Sequence, residues 1–417
     1  MTRTRQLLCG ALVVLLCMLS APYAAAELAP PSGRIAVKVD VRGGHTISSV
    51  IEGLPIEMVS AVIASRGIYL VASTTPDYDG DGEAGDAADE QKLAEDVAAR
   101  PGVLWAELDQ RVVLTDTRFH SWPYGMPGTT KTDPAVFYGQ RAATRLELAE
   151  AHARSKGAGI LVAVLDTGAD TAHPVLAGQT APAWNYVDDT ADVSDVAQGV
   201  DSNGNGLRDE AVGHGTFVSG LVNLAAPRAR ILPARVLDSD GIGNTFAVAE
   251  AIVDSVRAGA QVINLSFGTS EKVESKVVQE ALRVAANHDV VVISAAGNLR
   301  STDPQFPASA STVFGVAALG SGSQLAFFSN RGPWVEVAAP GDQIVGPMPG
   351  GGYAVWSGSS MSSALVSGQA ALLRAVDPQA GADNTLDTIQ ATTRLVPYDG
   401  VSYGSIDIPR SLDYTLS

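Results

Sequence analysis

"ILVAVLD", Ile160 to Asp166, is apolar in every position but its last and carries no polar alternation. A strand with one wet face would alternate, so a continuous apolar run of this length reads as a strand buried on both faces. Four further runs share its character: "ARILPARVL" (Ala229–Leu237), "AQVINLSFG" (Ala260–Gly268), "DVVVISAAGN" (Asp289–Asn298) and "TVFGVAAL" (Thr312–Leu319). Helical patterns separate them, in "TFVSGLVNLA" (Thr216–Ala225), "NTFAVAEAIVDSVRAG" (Asn244–Gly259) and "KVVQEALRVAANH" (Lys276–His288). Strand and helix in alternation predict an α/β fold, a doubly wound and mostly parallel sheet with helices on both faces. In such sheets ligands sit at the carboxyl ends of the strands.

What closes those strands is chemically specific. Asp166 ends the first run, and "VGHGTFVSG" presents His214 at the mouth of a helix. Asn298 ends "VVVISAAGN", and "SGSSMSSALVSGQAALLRAV" (Ser357–Val376) presents Ser360 before an apolar helix. An acid that orients an imidazole, an imidazole that takes a proton from a hydroxyl, and an amide that donates to a developing oxyanion are the parts of nucleophilic acyl transfer. Each alone reads as a turn or cap residue. Together, in the chain order Asp, His, Ser, they form one of the few known orders of this triad.

On these residues the chain resembles the subtilisin-like serine proteases, the subtilases. The matching words are "VAVLDTGADTAHPVL", "GHGTFVSGLV", "VINLSFG", "ISAAGN", "FPAS", "FSNRGPWVEVAAPG" and "SGSSMSSALVSG", which cover most of Phe137 to Ala375. The resemblance implies that Ser360 is the nucleophile, His214 the base, Asp166 its orienting acid and Asn298 an oxyanion donor. It also implies that Ser266, Phe267 and Gly268, with Ala295, Ala296 and Gly297, line the substrate cleft, where an extended polypeptide pairs by strand addition. Two departures stand out: Phe217 where relatives read His in "HGTHVAG", and Ala364–Leu365 where they read Pro-His after the nucleophile. The activity expected is that of a serine endopeptidase. A catalytically silent peptide-binding homologue and a processing protease dedicated to one partner are the alternatives.

The rest of the chain sets the context. Arg3 and Arg5, an apolar stretch from Leu7 to Leu19 and Ala24–Ala26 make residues 1–26 a signal peptide, since the stretch is shorter than the roughly 20 residues of a membrane span. Cleavage would remove both cysteines and leave a secreted protein, extracellular or periplasmic, without disulfides or a membrane anchor. A net charge of −17 argues against a nucleic-acid partner.

Residues 27–132 form a separate small α+β unit and linker, with strand character in "GRIAVKVDV", "IYLVAS" and "VLWAEL" and helical spacing in "PIEMVSAVIASRG" (Pro55–Gly67) and "ADEQKLAEDVAARPG". This unit resembles a subtilase propeptide, an intramolecular inhibitor and folding template cut from residues 133–417 between Thr115 and Asp133; a permanent accessory domain is the alternative. Calcium is the expected cofactor. "VDSNGNGLRDE" places Asp201, Asn203, Asn205 and Asp209 at ligand spacing around Gly206, with Val212 where a Glu would close the loop. "DYDGDG" (Asp77–Gly82) is a weaker second case. Leu299, after the oxyanion Asn, mildly favours apolar substrates.

Overall fold

The computed structural model describes residues 33–75, 77–80, 87–116, 133–269, 274–322, 324–394 and 401–417. The expected signal peptide over residues 1–26 and all but the last two residues of the expected linker, His120–Pro134, lie outside the described residues.

The strand Leu161–Asp166 occupies the switch point of a seven-stranded parallel sheet. On one side it pairs with Arg230–Arg235 and on the other with Val262–Leu265, beyond which follow Val291–Ala295, Phe314–Leu319, Val337–Pro340 and Gly404–Ser405. The strand order reverses there, so the crossovers on its two sides leave in opposite directions and open a crevice beyond its carboxyl end. Asp166 stands at that end.

Buried strand residues feed two cores. Val162 and Val164 face one layer with the helices His214–Ala225 and Ser359–Val376, while Ala163 and Leu165 face the other with Thr245–Arg257 and Lys276–Asn287. Every residue of His214–Ala225 is buried, which explains why its sequence is apolar on all sides rather than along one stripe. The run Ala260–Gly268 divides into two strands, Val262–Leu265 in the sheet and Phe267–Thr269 at the cleft.

Residues 33–116 build the small unit: an antiparallel sheet in the order Ile56–Ile63, Ile68–Ser73, Arg34–Val39, Val103–Leu108, with the helices Ile47–Ile51 and Ala87–Ala98. The helix expected over Pro55–Gly67 is instead the strand Ile56–Ile63 and a single 3₁₀ turn, Ala64–Arg66. Register shifts around Ser60 break the two-residue alternation that marks a strand, and pairing with Ile68–Ser73 overrides the local spacing.

The unit lies across the helices Thr245–Arg257 and Lys276–Asn287. Lys38 meets Glu280 at 2.6 Å, and Ser60 donates to Glu250 at 2.5 Å. Two of its carboxylates cap those helices. Glu107 accepts from the backbone N–H groups of Lys276 and Val277 (2.9 and 2.8 Å), and Asp109 accepts from Phe246 N–H (3.0 Å). Each offers acceptor oxygens where a helix presents unpaired N–H groups, and burial raises the pKa of both carboxyls, that of Asp109 to about 7.

Candidate active site

Beyond Asp109 the chain enters the crevice. Arg111–Leu114 is the middle strand of a three-stranded antiparallel sheet between Ile242–Asn244 and Phe267–Thr269, with Val113 opposite Gly268 and Leu114 opposite Phe267. Thr115 and Asp116 follow, both buried.

Asp166, His214, Asn298 and Ser360 converge at the end of this strand. His214 Nδ1 lies 2.7 Å from Asp166 Oδ1, which also accepts from Thr167 N–H (2.8 Å). His214 Nε2 faces Asp116 Oδ2 at 2.9 Å, and the Asn298 amide donates to the other oxygen of the same carboxylate. Ser360, second residue of the helix Ser359–Val376, donates its hydroxyl to the Ser266 carbonyl at 3.3 Å. Burial alone would lower the His214 pKa; the Asp166 charge, together with hydrogen bonds to Asp116 and Asp166, outweighs it and pushes it up to about 10. The ring is held as an imidazolium between two carboxylates.

The surroundings fix these groups. Asn298 accepts from Ser359 N–H (2.9 Å), which turns its amide toward the cleft, and the Ser359 hydroxyl accepts from Gly297 N–H (2.9 Å). Gly297 has φ +99°, a conformation that favours glycine. Trp356 stands edge-on to the His214 ring, with centroids 5.0 Å apart, and Phe217 packs behind it at 5.8 Å. Phe217 fits because position 346 is glycine, where a Cβ would run into its ring.

The Subtilase family profile matches residues 157–404. The chain belongs to the subtilase family. It is 34% identical over 278 residues to thermitase of Thermoactinomyces vulgaris, covering 63% of this chain and 94% of that protein. It is 36% identical over 251 residues to the thermophilic serine proteinase of Bacillus sp. (strain AK1), covering 59% of this chain and 61% of that protein. Its fold is similar to that of fervidolysin from Fervidobacterium pennivorans, described as a keratinolytic enzyme related to subtilisin, with TM-score 0.71 and 23% identity over 93% of this chain and 62% of that one. This subtilase is a serine-type endopeptidase acting on polypeptides. No helix among its described residues is long and apolar enough to cross a membrane.

Three residues of the subtilase cleft escaped the sequence reading. Asp116 closes "RVVLTD" inside the expected cut window, and its acidity was the available signal. Asp195 gave none: buried in a loop, it accepts from Gly213 N–H, Thr216 N–H and the hydroxyls of Thr216 and Thr167 (2.9, 3.0, 2.7 and 3.1 Å). It thereby ties the His214 helix to the residue after Asp166, and burial raises its pKa. Gln305 lies against Gly268 and Gly297.

The residues read as calcium ligands part company. Asp201 accepts from Asn205 and Gly206 N–H, and the Asn203 and Asn205 amides both turn to Glu210. Asp209 faces elsewhere, accepting from Gln198 N–H, Gly199 N–H and the Ser239 hydroxyl (2.9, 2.8 and 2.6 Å). Asp240 joins the loop from outside, accepting from Asn203 and Glu210 N–H; burial and the charges of Glu210 and Asp238 push it up to about 6. In the small unit Asp77, Asp79 and Asp89 bring carboxylate oxygens within 4.8 Å of one another.

Proposed function

We propose that the chain is a secreted serine endopeptidase made as a zymogen, cutting peptide bonds through Ser360, His214 and Asp166 and an acyl-enzyme. In this reading the Ser360 hydroxyl attacks the carbonyl carbon while His214 accepts its proton. Asp166 holds the imidazole in the needed tautomer and stabilises its charge. The carbonyl oxygen becomes an oxyanion facing the Asn298 amide and the Ser360 backbone N–H at the positive end of an eighteen-residue helix. His214 then protonates the leaving amine, and water, deprotonated by the same imidazole, releases the acyl group. Asp195 keeps the acid and the base in register.

The observation that carries the reading is the chain's own segment Arg111–Asp116 in the cleft. It pairs by backbone hydrogen bonds as a substrate strand would, and its Asp116 carboxylate stands between His214 and Asn298. A unit that fills the cleft and caps two helices supports an inhibitory propeptide over residues 27–132 with a catalytic domain over 133–417. The register supports a first cut between Thr115 and Asp116, followed by trimming. An organophosphonate probe should label the processed protein and not Ser360→Ala, which should persist uncut. Labelling of Ser360→Ala, or an intact native chain without proteolysis, would overturn the reading and favour a silent peptide-binding homologue.

Calcium fits the loop around Gly206 by its donors, which are all oxygen: carboxylates of Asp201, Glu210 and Asp240 and the amide oxygens of Asn203 and Asn205, which accept from Asn205 and Leu207 N–H and keep a second lone pair. Asp209 would brace the loop rather than bind the ion. The ion would supply rigidity in a chain whose only cysteines lie in the expected signal segment.

A further inference from the structure

The geometry points to Gln305 as the residue that sets substrate choice, restricting the acyl side of the cleaved bond to small side chains such as Ala, Ser, Thr and Val. This deepens the protease reading and rests on it.

Val113 pairs with Gly268, so in this reading Thr115, two residues on, is the residue before the cut bond, and the missing side chains of Gly268 and Gly297 should leave a slot beside it. That slot is filled. A Cβ built on Gly268 would collide with Gln305 Nε2, and one built on Gly297 with Gln305 Oε1. The Gln305 amide is also held in place. Its Oε1 accepts from Asn330 Nδ2 at 3.1 Å, while Asn330 binds the Ala296 carbonyl (2.9 Å) and receives the N–H groups of Leu299 and Ser301 (2.9 Å each). Moving Gln305 would therefore disturb the turn that follows Asn298.

Thr115 shows what fits. Val112 and Leu114 face Gly243 and Gly241, so the alternation of a strand turns Val113 and Thr115 the other way. With Thr115 in place, the cavity it shares with Gln305 and Leu299 measures about 50 Å³. A cavity that takes up benzene measures about 150 Å³, so the space left beside Thr115 is too small for a phenyl ring. The Thr115 hydroxyl is buried without a hydrogen-bond partner, so the pocket reads size rather than the hydroxyl. Leu299, 53% exposed, stands at the rim, and the apolar preference read from it gives way to a preference for small residues.

The test uses the self-processed full chain on peptides differing only in the residue before the cut. Native enzyme should favour Ala, Thr and Val over Phe by roughly 10- to 100-fold in kcat/KM, the scale on which pocket volume discriminates. Gln305→Gly should gain on Phe by a similar factor, and Gln305→Met, which keeps the volume and loses the amide, should retain the preference for small residues. A native preference for Phe or Leu, or equal profiles for native and Gln305→Gly enzyme, would overturn the assignment. Active-site titration with the serine probe separates the two failures: normal titration with the wrong profile removes the pocket assignment alone, and absent titration removes the protease reading beneath it.

Discussion

Asp116 Oδ2 and His214 Nε2 lie 2.9 Å apart in a fully buried contact, so the group that would serve as base is engaged by the chain's own segment. The contact predicts a pH dependence. Burial works against the imidazolium, but Asp166 and then Asp116 prevail and carry the pKa from 6.5 to about 10. Against the unfolded chain, a raised histidine pKa stabilises the folded form fully below about 6.5, and that contribution is lost as pH rises through about 10; the share owed to Asp116 is the share that holds the segment docked. Self-processing should therefore accelerate as pH approaches 10. In Asp116→Asn it should plateau at lower pH, and the imidazole N–H signal of an uncut Ser360→Ala/Asp116→Asn chain should titrate below that of Ser360→Ala. Identical titrations would show that Asp116 does not hold the proton.

The caps predict a separate effect on docking. Glu107 and Asp109 bind N–H groups at the starts of two helices, and removing such a cap typically costs about 0.5–2 kcal/mol. In the uncut Ser360→Ala chain, Glu107→Ala and Asp109→Ala should each lower Tm by several degrees. If processing releases those residues as proposed, the processed variants should melt as the native processed enzyme does. An unchanged Tm in both uncut variants would mean that hydrophobic contact of Ala36, Val62 and Ile68 with the helices suffices.

Much of the catalytic unit was legible because buried parallel strands write themselves as unbroken apolar runs. "ILVAVLD" holds the strand Leu161–Asp166 and "TVFGVAAL" the strand Phe314–Leu319, while in the small antiparallel unit "IYLVAS" and "VLWAEL" match the strands Ile68–Ser73 and Val103–Leu108 residue for residue. Ile56–Ile63 was misread because its register shifts remove the period on which strand recognition depends. Of the site, the residues closing strands and opening helices were visible. Asp195 and Gln305 were not, since both act from loops whose placement depends on contacts distant in sequence. Asp209 misled because spacing specifies which residues a loop offers, not which way each turns.

The loop around Gly206 predicts a response to chelation. If Asp201, Asn203, Asn205 and Glu210 hold calcium, chelator should lower the Tm of the processed enzyme, and the shift should follow calcium concentration as binding to the native state requires. Glu210→Gln should reduce the shift. Asp209→Ala should lower Tm with or without calcium, because it removes the cap on Gln198 and Gly199. A Tm indifferent to chelator would remove the ion.

The serines at the head of the helix Ser359–Val376 give the last prediction, because their hydroxyls do different things. Ser362 donates to the Ala339 carbonyl and Ser363 to the Ser360 carbonyl, both 2.9 Å, and neither touches the cleft. Ser359 supports Asn298 twice, through its N–H to the Asn298 side chain and through its hydroxyl to Gly297. Ser360→Ala should abolish turnover, and Asn298→Ala should lower kcat by about 10²- to 10³-fold with little change in KM, as expected of a donor that acts on the oxyanion. Ser359→Ala keeps the N–H and loses only the hydroxyl, so its kcat should fall by a smaller factor, about tenfold for one hydrogen bond. Ser362→Ala and Ser363→Ala should leave kcat near native and act on Tm. Steady-state kinetics of the four serine variants beside Asn298→Ala would check this order, and a Ser363→Ala defect in kcat as large as that of Asn298→Ala would contradict it.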